Sequence, residues 1–149
     1  MNGRMLDRSL IGRESEPVEH EVERSAIRRF ADALGDPNPI YQDEAAAQAA
    51  GYAALVAPPT FPVTLTANER FRHSLDLGTR SILHSEQQLE YARPIVAGDR
   101  ITVVSRVADV LERPGASGPM DVLVLEDEGR DEKGEWVFRS RATLILRRG

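Results

Sequence analysis

The chain of 149 residues contains no cysteine. This absence excludes a disulfide framework, a thiolate nucleophile and every zinc site that needs sulfur ligands, and it favours a reducing compartment. No apolar run approaches the ~20 residues of a membrane span, and the first residues lack the apolar stretch of a secretion signal. We therefore expect a cytoplasmic protein that is neither exported nor embedded in a membrane.

Lysine and aromatic side chains are also scarce. The net charge is −5, Lys133 is the single lysine, and aromatic residues make up 5% of the chain. An acidic balance of this kind argues against nucleic-acid binding. The three histidines, at positions 20, 73 and 84, lack the spacing of metal ligands, so we expect neither a metal nor another cofactor.

The length fits one domain with a single hydrophobic core. Residues 1–16 are polar and without periodicity, so we predict an irregular N-terminal segment followed by one domain over residues 17–149. No repeat, linker or low-complexity tract interrupts that domain.

Helical periodicity dominates the first half of the chain. One helix is predicted from Ser25 as its N-cap to Gly35, with apolar residues three and four positions apart. A short Ala-rich helix is predicted over residues 43–50, with Asp43 as its cap. A third helix, over residues 61–71, follows a proline-rich break and carries enough apolar residues to be largely buried.

The second half changes to a period of two residues, which indicates β-strands. Strands are predicted near residues 82–91, 101–111, 120–129 and 135–146, separated by turn sequences. In the last strand, the even-numbered residues from Trp136 to Leu146 are expected to share one face. Helices followed by strands predict an α+β fold, in which an antiparallel sheet wraps a buried helix.

Residues 35–41, Gly-Asp-Pro-Asn-Pro-Ile-Tyr, form a polar loop between the two predicted helices. Pro37 and Pro39 fix the backbone φ near −65° and reduce the conformational freedom of this loop. Asp36 and Asn38 can therefore present preorganised polar groups to a ligand. They can equally serve only to cap backbone amides within the loop, as such residues often do.

Residues 30–41 resemble the signature of the MaoC-like (R)-specific enoyl-thioester hydratases, which have the hot-dog fold. The family pattern is Gly-Asp-x-Asn-Pro-x-His, and its Asp and His act together on a water molecule or a 3-hydroxyacyl thioester. Residues 91–99 resemble a second family motif, the (Phe/Tyr)-x-x-Pro-Val-x-x-Gly-Asp turn between sheet strands. The likeness extends over roughly residues 18–147.

Two departures from the family pattern affect the expected chemistry. Tyr41 stands where the family has its catalytic His, and a phenol with a pKa near 10 cannot replace an imidazole as base at neutral pH. The second departure is at residues 57–61, where active members have a His-Gly pair whose backbone N–H polarises the thioester carbonyl; if Pro59 occupies the glycine position, that donor is missing, because proline has no N–H. If the alignment shifts by one residue, the Thr60 N–H can serve instead.

At residues 38–41 (Asn-Pro-Ile-Tyr) and 57–62 (Ala-Pro-Pro-Thr-Phe-Pro) the chain resembles the FAS1-like dehydratase N-terminal group. This group includes the non-catalytic subunits of mycobacterial hydroxyacyl-carrier-protein dehydratases. The resemblance implies a subunit that shapes the acyl-chain channel and pairs with a second hot-dog chain that holds the Asp–His dyad. It places Asp36 and Tyr41 at the catalytic positions. The expected substrate-binding residues are Asn38, Pro59, Thr60, Phe61 and Val63, with residues 58–63 lining the acyl pocket.

We therefore predict a subunit of an (R)-3-hydroxyacyl-thioester dehydratase or enoyl-thioester hydratase with a degenerate active site. If it is active, it is a hydro-lyase, and it needs a catalytic partner chain. Its ligand is an acyl-CoA or acyl-carrier-protein thioester, and it forms a homodimer or a heterodimer with a second hot-dog subunit. The alternatives are a hot-dog acyl-CoA thioesterase, in which Asp36 is the carboxylate, and an acyl-thioester-binding protein without turnover. Tyr41 can also be no more than a packed aromatic residue.

Overall fold

The structure is a computed structural model that describes residues 5–67, 69–78 and 80–148. Its α-helices are α1 (Arg24–Leu34), α2 (Glu44–Ala49) and α3 (Glu69–Ser74). Its strands are β1 (Val18–Glu21), β2 (Ser81–Tyr91), β3 (Arg100–Arg113), β4 (Met120–Arg130) and β5 (Trp136–Arg147). Short 3-10 turns cover Arg8–Leu10, Pro39–Tyr41 and Phe61–Thr64.

In the described part of the chain the five strands form one antiparallel sheet in the order β1-β3-β4-β5-β2. The long strands β3, β4 and β5 lie in the middle, whereas β1 and β2 are the edges. Helices before a meandering antiparallel sheet confirm the predicted α+β class, and the four predicted strands agree with the observed ones to within one or two residues.

The buried side of the sheet carries two apolar clusters. The first joins the sheet to α1 and to residues 54–61, and it includes Ile27, Tyr41, Leu55, Phe61, Ile101 and Phe138. The second joins the sheet to α3 and the N-terminal segment, and it includes Leu6, Leu10, Phe71, Val110, Leu123 and Leu146. Gly129 leaves room for the Phe138 ring in the first cluster, because a Cβ there would overlap that ring.

The first helix begins two residues earlier than its sequence suggests. Glu23, not Ser25, is the N-cap residue, and its side chain makes no capping hydrogen bond. The predicted end is confirmed, since Gly35 has the left-handed φ of 69° that suits a glycine after the last turn. Asp43 caps α2 as predicted, because its carboxylate accepts a hydrogen bond from the Ala45 N–H.

The predicted helix over residues 61–71 is wrong as one continuous element. Phe61–Thr64 is a 3-10 turn, residues 65–67 are not helical, and α3 is described from Glu69. Residue 68 of that prediction lies outside the described residues. Pro62 is buried in the 3-10 turn, where a missing backbone N–H is tolerated. Apolar side chains of this region still pack into the core as expected, at Leu65, Ala67 and Phe71.

A bulge changes one of the predicted strand faces. Between β4 and β5 the register shifts next to Gly129, so that Arg130 pairs with Trp136 while Gly129 pairs with Phe138. The extra residue, Val137, is buried together with Phe138, and the Trp136 ring instead lies under the Arg139 guanidinium at 5.6 Å. Trp136 therefore does not share the inner face, because a one-residue bulge reverses the alternation on its far side.

The described part of the N-terminal segment packs onto the same core. Leu6 and Leu10 are buried in the second apolar cluster, and the Ser15 N–H donates to Ser105 O of β3 while the Ser15 hydroxyl accepts from the Ser105 N–H. The division into residues 1–16 and 17–149 stays a prediction, but residues 5–16 belong to the domain in their packing.

Candidate functional site

The candidate loop begins at the C-terminal end of α1. Gly35 donates its N–H to Asp32 O, and Asp36 donates its N–H back to Ala31 O at 3.1 Å. These bonds satisfy carbonyls that the end of a helix leaves free, and the left-handed glycine turns the chain away from the helix axis. The start of the loop is thereby fixed by backbone contacts alone.

Asp36 and Asn38 then form two successive local hydrogen bonds. The Asp36 carboxylate accepts from the Asn38 N–H at 3.0 Å, and the Asn38 side-chain oxygen accepts from the Ile40 N–H at 3.2 Å. Asn38 is the N-cap of the 3-10 turn, with Pro39 as its first residue. Both polar side chains are exposed to solvent. These hydrogen bonds order the loop. The second carboxylate oxygen of Asp36 and the side-chain NH₂ of Asn38 can still bind other partners.

Tyr41 differs from its polar neighbours because it is buried. Its side chain belongs to the first apolar cluster and is only 7% exposed. Burial raises the pKa of the Tyr41 phenol above its ordinary value of 10, and the charge of Asp36 and the neighbouring Tyr52 add to the rise. Tyr41 is therefore neutral at pH 7 and cannot accept a proton there as a base.

The segment after α2 runs under the loop and ends in the proline-rich turn. The Val56 N–H donates to Ile40 O at 3.0 Å, and the Ala57 N–H donates to Ile95 O at 2.8 Å. After the buried Pro58, the next two residues, Pro59 and Thr60, are exposed, and Phe61 is buried again. Because Pro58 and Pro59 have no backbone N–H, Thr60 supplies the first donor after Ala57.

Phe61 anchors this turn to the helix that carries the loop. Its ring meets the Phe30 ring of α1 edge-to-face, with the ring centres 5.5 Å apart. Val63, two residues later, is 40% exposed. An apolar side chain that projects into solvent beside a buried anchor can contact a ligand or another chain.

Tyr91 fixes the turn from the other side. Its hydroxyl donates a short hydrogen bond to the carbonyl oxygen of Pro59. Desolvation raises the pKa of Tyr91 to about 12, so the donor proton is retained at neutral pH. Sequence reasoning did not assign Tyr91 to the site, although Tyr91 opens the second family motif. The contact joins positions 32 residues apart, and no local pattern predicts it.

The structure brings the predicted site residues together only in part. Tyr41 and Phe61 both belong to the first apolar cluster, and Ile40 O accepts a hydrogen bond from the segment that leads to Pro58. Within residues 5–67, 69–78 and 80–148, however, no side-chain hydrogen bond or ion pair joins Asp36 or Asn38 to the 59–63 turn. Asp36 and Asn38 are therefore linked to the proline-rich turn only through backbone hydrogen bonds and apolar packing of the residues between them.

A second carboxylate of interest lies on the inner face of the sheet, where sequence reasoning did not place one. Asp127 of β4 pairs with Ser105 of β3 and Ser140 of β5, and it accepts a short hydrogen bond from the Ser105 hydroxyl. Burial raises the pKa of Asp127, against the lowering effects of Ser105, Arg72 and His20. In the sequence Asp127 stands between Glu126 and Glu128, a run that looks like a solvated surface.

Two properties of the described residues concern metal binding and membrane-spanning helices. Among the described residues no group of three or more His, Asp or Glu side chains is placed to bind a metal ion. None of the helices in this part of the chain is long and apolar enough to cross a membrane.

The sequence has clear relatives. A family model for the FAS1-like dehydratase domain region matches residues 9–140. The chain is 40% identical over 147 residues to the UPF0336 protein of Streptomyces avermitilis, covering 95% of each chain. It is also 40% identical over 147 residues to the UPF0336 protein of Saccharopolyspora erythraea, covering 95% of this chain and 92% of the relative.

Solved structures agree with this assignment. A chain of the C-terminally truncated HadBC complex, a 3R-hydroxyacyl-ACP dehydratase from Mycobacterium tuberculosis, superposes with a TM-score of 0.77. That chain is 28% identical, and the match covers 91% of this chain and 96% of the other. A MaoC-like dehydratase gives a TM-score of 0.80 at 29% identity, over 93% of this chain and 42% of that longer one. These matches confirm the hot-dog fold, and the chain belongs to the FAS1-like dehydratase family of MaoC-like proteins.

Proposed function

We propose that the chain is the acyl-chain-binding subunit of an (R)-3-hydroxyacyl-thioester dehydratase or enoyl-thioester hydratase, with a degenerate active site of its own. In this proposal a second hot-dog subunit supplies the Asp–His dyad. The ligand is a 3-hydroxyacyl or trans-2-enoyl thioester of CoA or of a carrier protein. The membership in a dehydratase family and the likeness to a HadBC chain support a role in this type of reaction.

The observation that carries the proposal is that the Tyr41 side chain is buried and its phenol is neutral. Hydration of an enoyl thioester requires a base to take a proton from water as its oxygen bonds to C3, and an acid to give a proton to C2. A buried phenol with a raised pKa cannot be that base at neutral pH. A positioned general base contributes about 10²–10⁴ in rate, so its loss leaves this loop at best weakly active.

Asp36 fits the same conclusion. Its carboxylate is exposed and already accepts the Asn38 N–H, a geometry that orders the loop. Without a base beside it, Asp36 can bind water or substrate but cannot complete the proton transfers alone. Its contribution in this proposal is positional, and Asn38 acts through the cap of the following turn.

The proline-rich turn has the properties of an acyl-binding wall. Phe61 anchors it in the core, whereas Val63 is exposed and apolar. Thr60 offers the first backbone N–H after two prolines, and such a donor can polarise a thioester carbonyl. Because Tyr91 holds the Pro59 carbonyl, the turn is preorganised for either contact.

Enzyme assays with defined partners test the proposal. The purified chain is mixed with trans-2-butenoyl-CoA or trans-2-dodecenoyl-CoA, alone and with a MaoC-type subunit that carries the intact Gly-Asp-x-Asn-Pro-x-His motif. Loss of the enoyl absorbance reports hydration, and a thiol reagent reports free CoA. We expect no turnover by the chain alone, and turnover by the pair that exceeds the turnover of the partner alone.

The alternatives give different results in the same assays. Robust hydration by the chain alone, abolished by Asp36→Asn, would overturn the degenerate-site proposal. Release of free CoA would identify a thioesterase. Saturable binding of the acyl thioester with no turnover in any combination of subunits would identify a binding protein.

A further inference from the structure

Polar side chains form a row across the inner face of the sheet, between the two apolar clusters. Ser105 of β3, Asp127 of β4 and Ser140 of β5 lie directly opposite one another. Gln87 of β2 extends the row, because its side-chain N–H donates to the Ser140 hydroxyl oxygen. We call these four residues the polar row. On β3 the residues two positions before and after Ser105 belong to different apolar clusters, so the row marks the boundary between them.

Among the described residues, the hydrogen bonds of the polar row leave one acceptor and one donor free. The Ser105 hydroxyl donates to one carboxylate oxygen of Asp127, and Gln87 donates to the Ser140 oxygen. Within the same part of the chain, no side-chain hydrogen bond reaches the second Asp127 oxygen, uses the Ser140 hydroxyl proton, or joins these two residues directly. The Cβ atoms of directly opposite residues are about 4.5–5.5 Å apart. One oxygen atom above them can therefore accept from Ser140 and donate to Asp127.

The space above Asp127 is accessible from outside the protein. Asp127 is only half-buried, although β4 has a neighbouring strand on each side, so its exposure comes from above the inner face. The segment from Leu65 to Ala67, which passes from the first apolar cluster to the second, is not helical. Between them, Thr66 O accepts a hydrogen bond from the Nε2–H of His20, at 3.0 Å, which holds this segment toward the β1 edge. The carboxylate is thereby left within reach of a ligand.

The polar row lies beside the proposed acyl-binding wall. Tyr91, which donates to the Pro59 carbonyl, pairs with Phe138 of β5. Ser140 follows two residues later, about 7 Å along the same strand. The proline-rich turn also leads directly into the non-helical segment that borders the row. An acyl chain whose thioester is bound at the turn, and which follows this segment, therefore reaches the polar row with carbon atoms beyond C3.

We propose that the polar row is a specificity subsite for a hydroxyl group on the acyl chain, whose oxygen accepts a hydrogen bond from Ser140 and donates one to Asp127. This inference rests on the proposed function, since it names the class of acyl thioester that the subunit selects, a chain hydroxylated beyond C3. Gln87 occupies the Ser140 oxygen, so the Ser140 proton is available to the ligand. An unsubstituted chain at the same place would cover both polar groups without replacing their bonds to water, which is unfavourable.

Matched ligands test the subsite. Titration calorimetry compares dodecanoyl-CoA with 5-, 7- and 9-hydroxydodecanoyl-CoA, using the chain alone and the chain with the MaoC-type subunit that carries the intact motif. We expect one of the hydroxylated ligands to bind at least about fivefold more tightly than dodecanoyl-CoA, because it forms two hydrogen bonds that each contribute roughly two- to tenfold. Equal affinities for all four ligands would overturn the subsite and show that the row holds water only.

A pair of serine variants locates the effect in the polar row. The Ser74 hydroxyl bonds Phe71 O within α3, so Ser74→Ala is the control outside the row. Ser140→Ala should remove most of the preference for the hydroxylated ligand and leave the affinity for dodecanoyl-CoA within about twofold. Ser74→Ala should keep the preference. A preference that survives Ser140→Ala would contradict the proposed contact.

Asp127→Asn should change which group is preferred. The asparagine oxygen can keep the Ser105 hydrogen bond, and its NH₂ group then donates toward the ligand together with Ser140. Two donors suit a carbonyl oxygen, which has two lone pairs and no proton. We therefore expect this variant to prefer the oxododecanoyl-CoA with its carbonyl at the selected position, whereas the unaltered chain prefers the hydroxyl. An effect on structure alone would weaken both ligands equally, and an unchanged preference for the hydroxyl would refute the role of Asp127.

The outcomes separate this inference from the proposed function. Selective binding of a hydroxylated ligand that depends on Ser140, without hydration in any combination of subunits, would refute the function and leave the subsite in place. Enhanced turnover by the pair, with equal affinities for hydroxylated and unsubstituted thioesters, would refute the subsite and leave the function in place. Failure of every acyl-CoA to bind, both to the chain alone and to the pair, would refute both.

Discussion

Two aspartates on the inner face of β4 show how differently one sheet can hold a carboxylate. Asp121, near the start of the strand, is fully buried and accepts hydrogen bonds from Arg148 and from the Leu6 N–H, with Arg80 at 3.8 Å. Asp127, six residues later on the same face, has the Ser105 hydroxyl as its hydrogen-bond donor, and burial raises its pKa. The strand and the residue type are the same.

The difference lies in the charge of the partner. At Asp121 two arginines, Arg80 before β2 and Arg148 after β5, offset the cost of taking a carboxylate out of water. At Asp127 a neutral hydroxyl offsets only part of that cost, so the protonated form is favoured more than usual. The first site is a charged clasp between the N-terminal segment, the start of β2 and the C-terminus. The second is a polar interruption between the two apolar clusters.

Removal of the clasp should have the largest effect on stability. Asp121→Ala leaves Arg148 and Arg80, which have side chains only 11% and 15% exposed, without their shared carboxylate. A broken buried ion pair of this kind costs about 3–5 kcal/mol, which corresponds to roughly 6–20 °C in Tm for a chain of this size. Thermal unfolding followed by circular dichroism measures the shift.

Glu112→Ala is the matched control for the clasp. Glu112 is the other partner of Arg148, but its side chain is half exposed. Exposed ion pairs contribute about 0–1 kcal/mol, so the control should remain within a few degrees of the unaltered protein. Equal losses from Asp121→Ala and Glu112→Ala would show that burial does not distinguish the two carboxylates.

Ser105→Ala should have the next largest effect, and this effect should depend on pH. The substitution removes the hydroxyl whose hydrogen bond favours the ionised form, so the pKa of Asp127 should rise further. A hydrogen bond to a charged group contributes about 1.5–3 kcal/mol, and this loss should appear at pH 7 and shrink in acid. Carboxyl carbon shifts in NMR report the pKa directly.

The neighbouring serine provides the comparison for this experiment. Ser140 lies opposite Asp127 on β5, but its hydroxyl accepts a hydrogen bond from Gln87. Ser140→Ala should therefore leave the pKa of Asp127 nearly unchanged. A similar rise in both variants would mean that general polarity of the inner face, rather than the Ser105 bond, sets the ionisation.

Much of this arrangement follows from the sequence, and the exceptions have a common physical origin. The caps at Asp43 and Gly35 and the ordering role of Asp36 are contacts between residues close in the chain, which local patterns predict. Strand positions follow from the alternation of apolar residues. The face of Trp136 does not, because a single bulged residue reverses the alternation and its position depends on the neighbouring strand.

Contacts between distant residues account for the rest. Tyr91 reaches Pro59, and Ser105 reaches Asp127, across 32 and 22 residues of sequence. The Glu-Asp-Glu run at residues 126–128 gives no sign that its middle residue faces inward beside a serine. The family motif identified the exposed carboxylate of the loop, whereas strand register alone creates the buried one.

Asp127→Asn should give a smaller effect of the opposite sign. Because the folded-state pKa of Asp127 is raised, the native protein keeps the proton where the unfolded chain has lost it, and stability falls as the pH rises through that range. Asparagine cannot ionise and still accepts the Ser105 hydrogen bond. The variant should therefore have a slightly higher Tm than the unaltered protein at pH 7, and the difference should close below about pH 4. A lower Tm at pH 7 would contradict this account.

Asp36 extends the comparison to an exposed carboxylate, where the smallest effect is expected. Its oxygen accepts only the Asn38 N–H in the loop, and water can replace that contact. Asp36→Ala should cost about 0.5–1 kcal/mol, the value of one exposed capping hydrogen bond. Asp36→Asn, which keeps an acceptor oxygen, should cost less, and urea unfolding resolves the two. A loss from Asp36→Ala as large as that from Asp121→Ala would mean that the fold depends on the Asp36 carboxylate for its stability. The expected small loss would leave Asp36 available for the binding role that we propose for this loop.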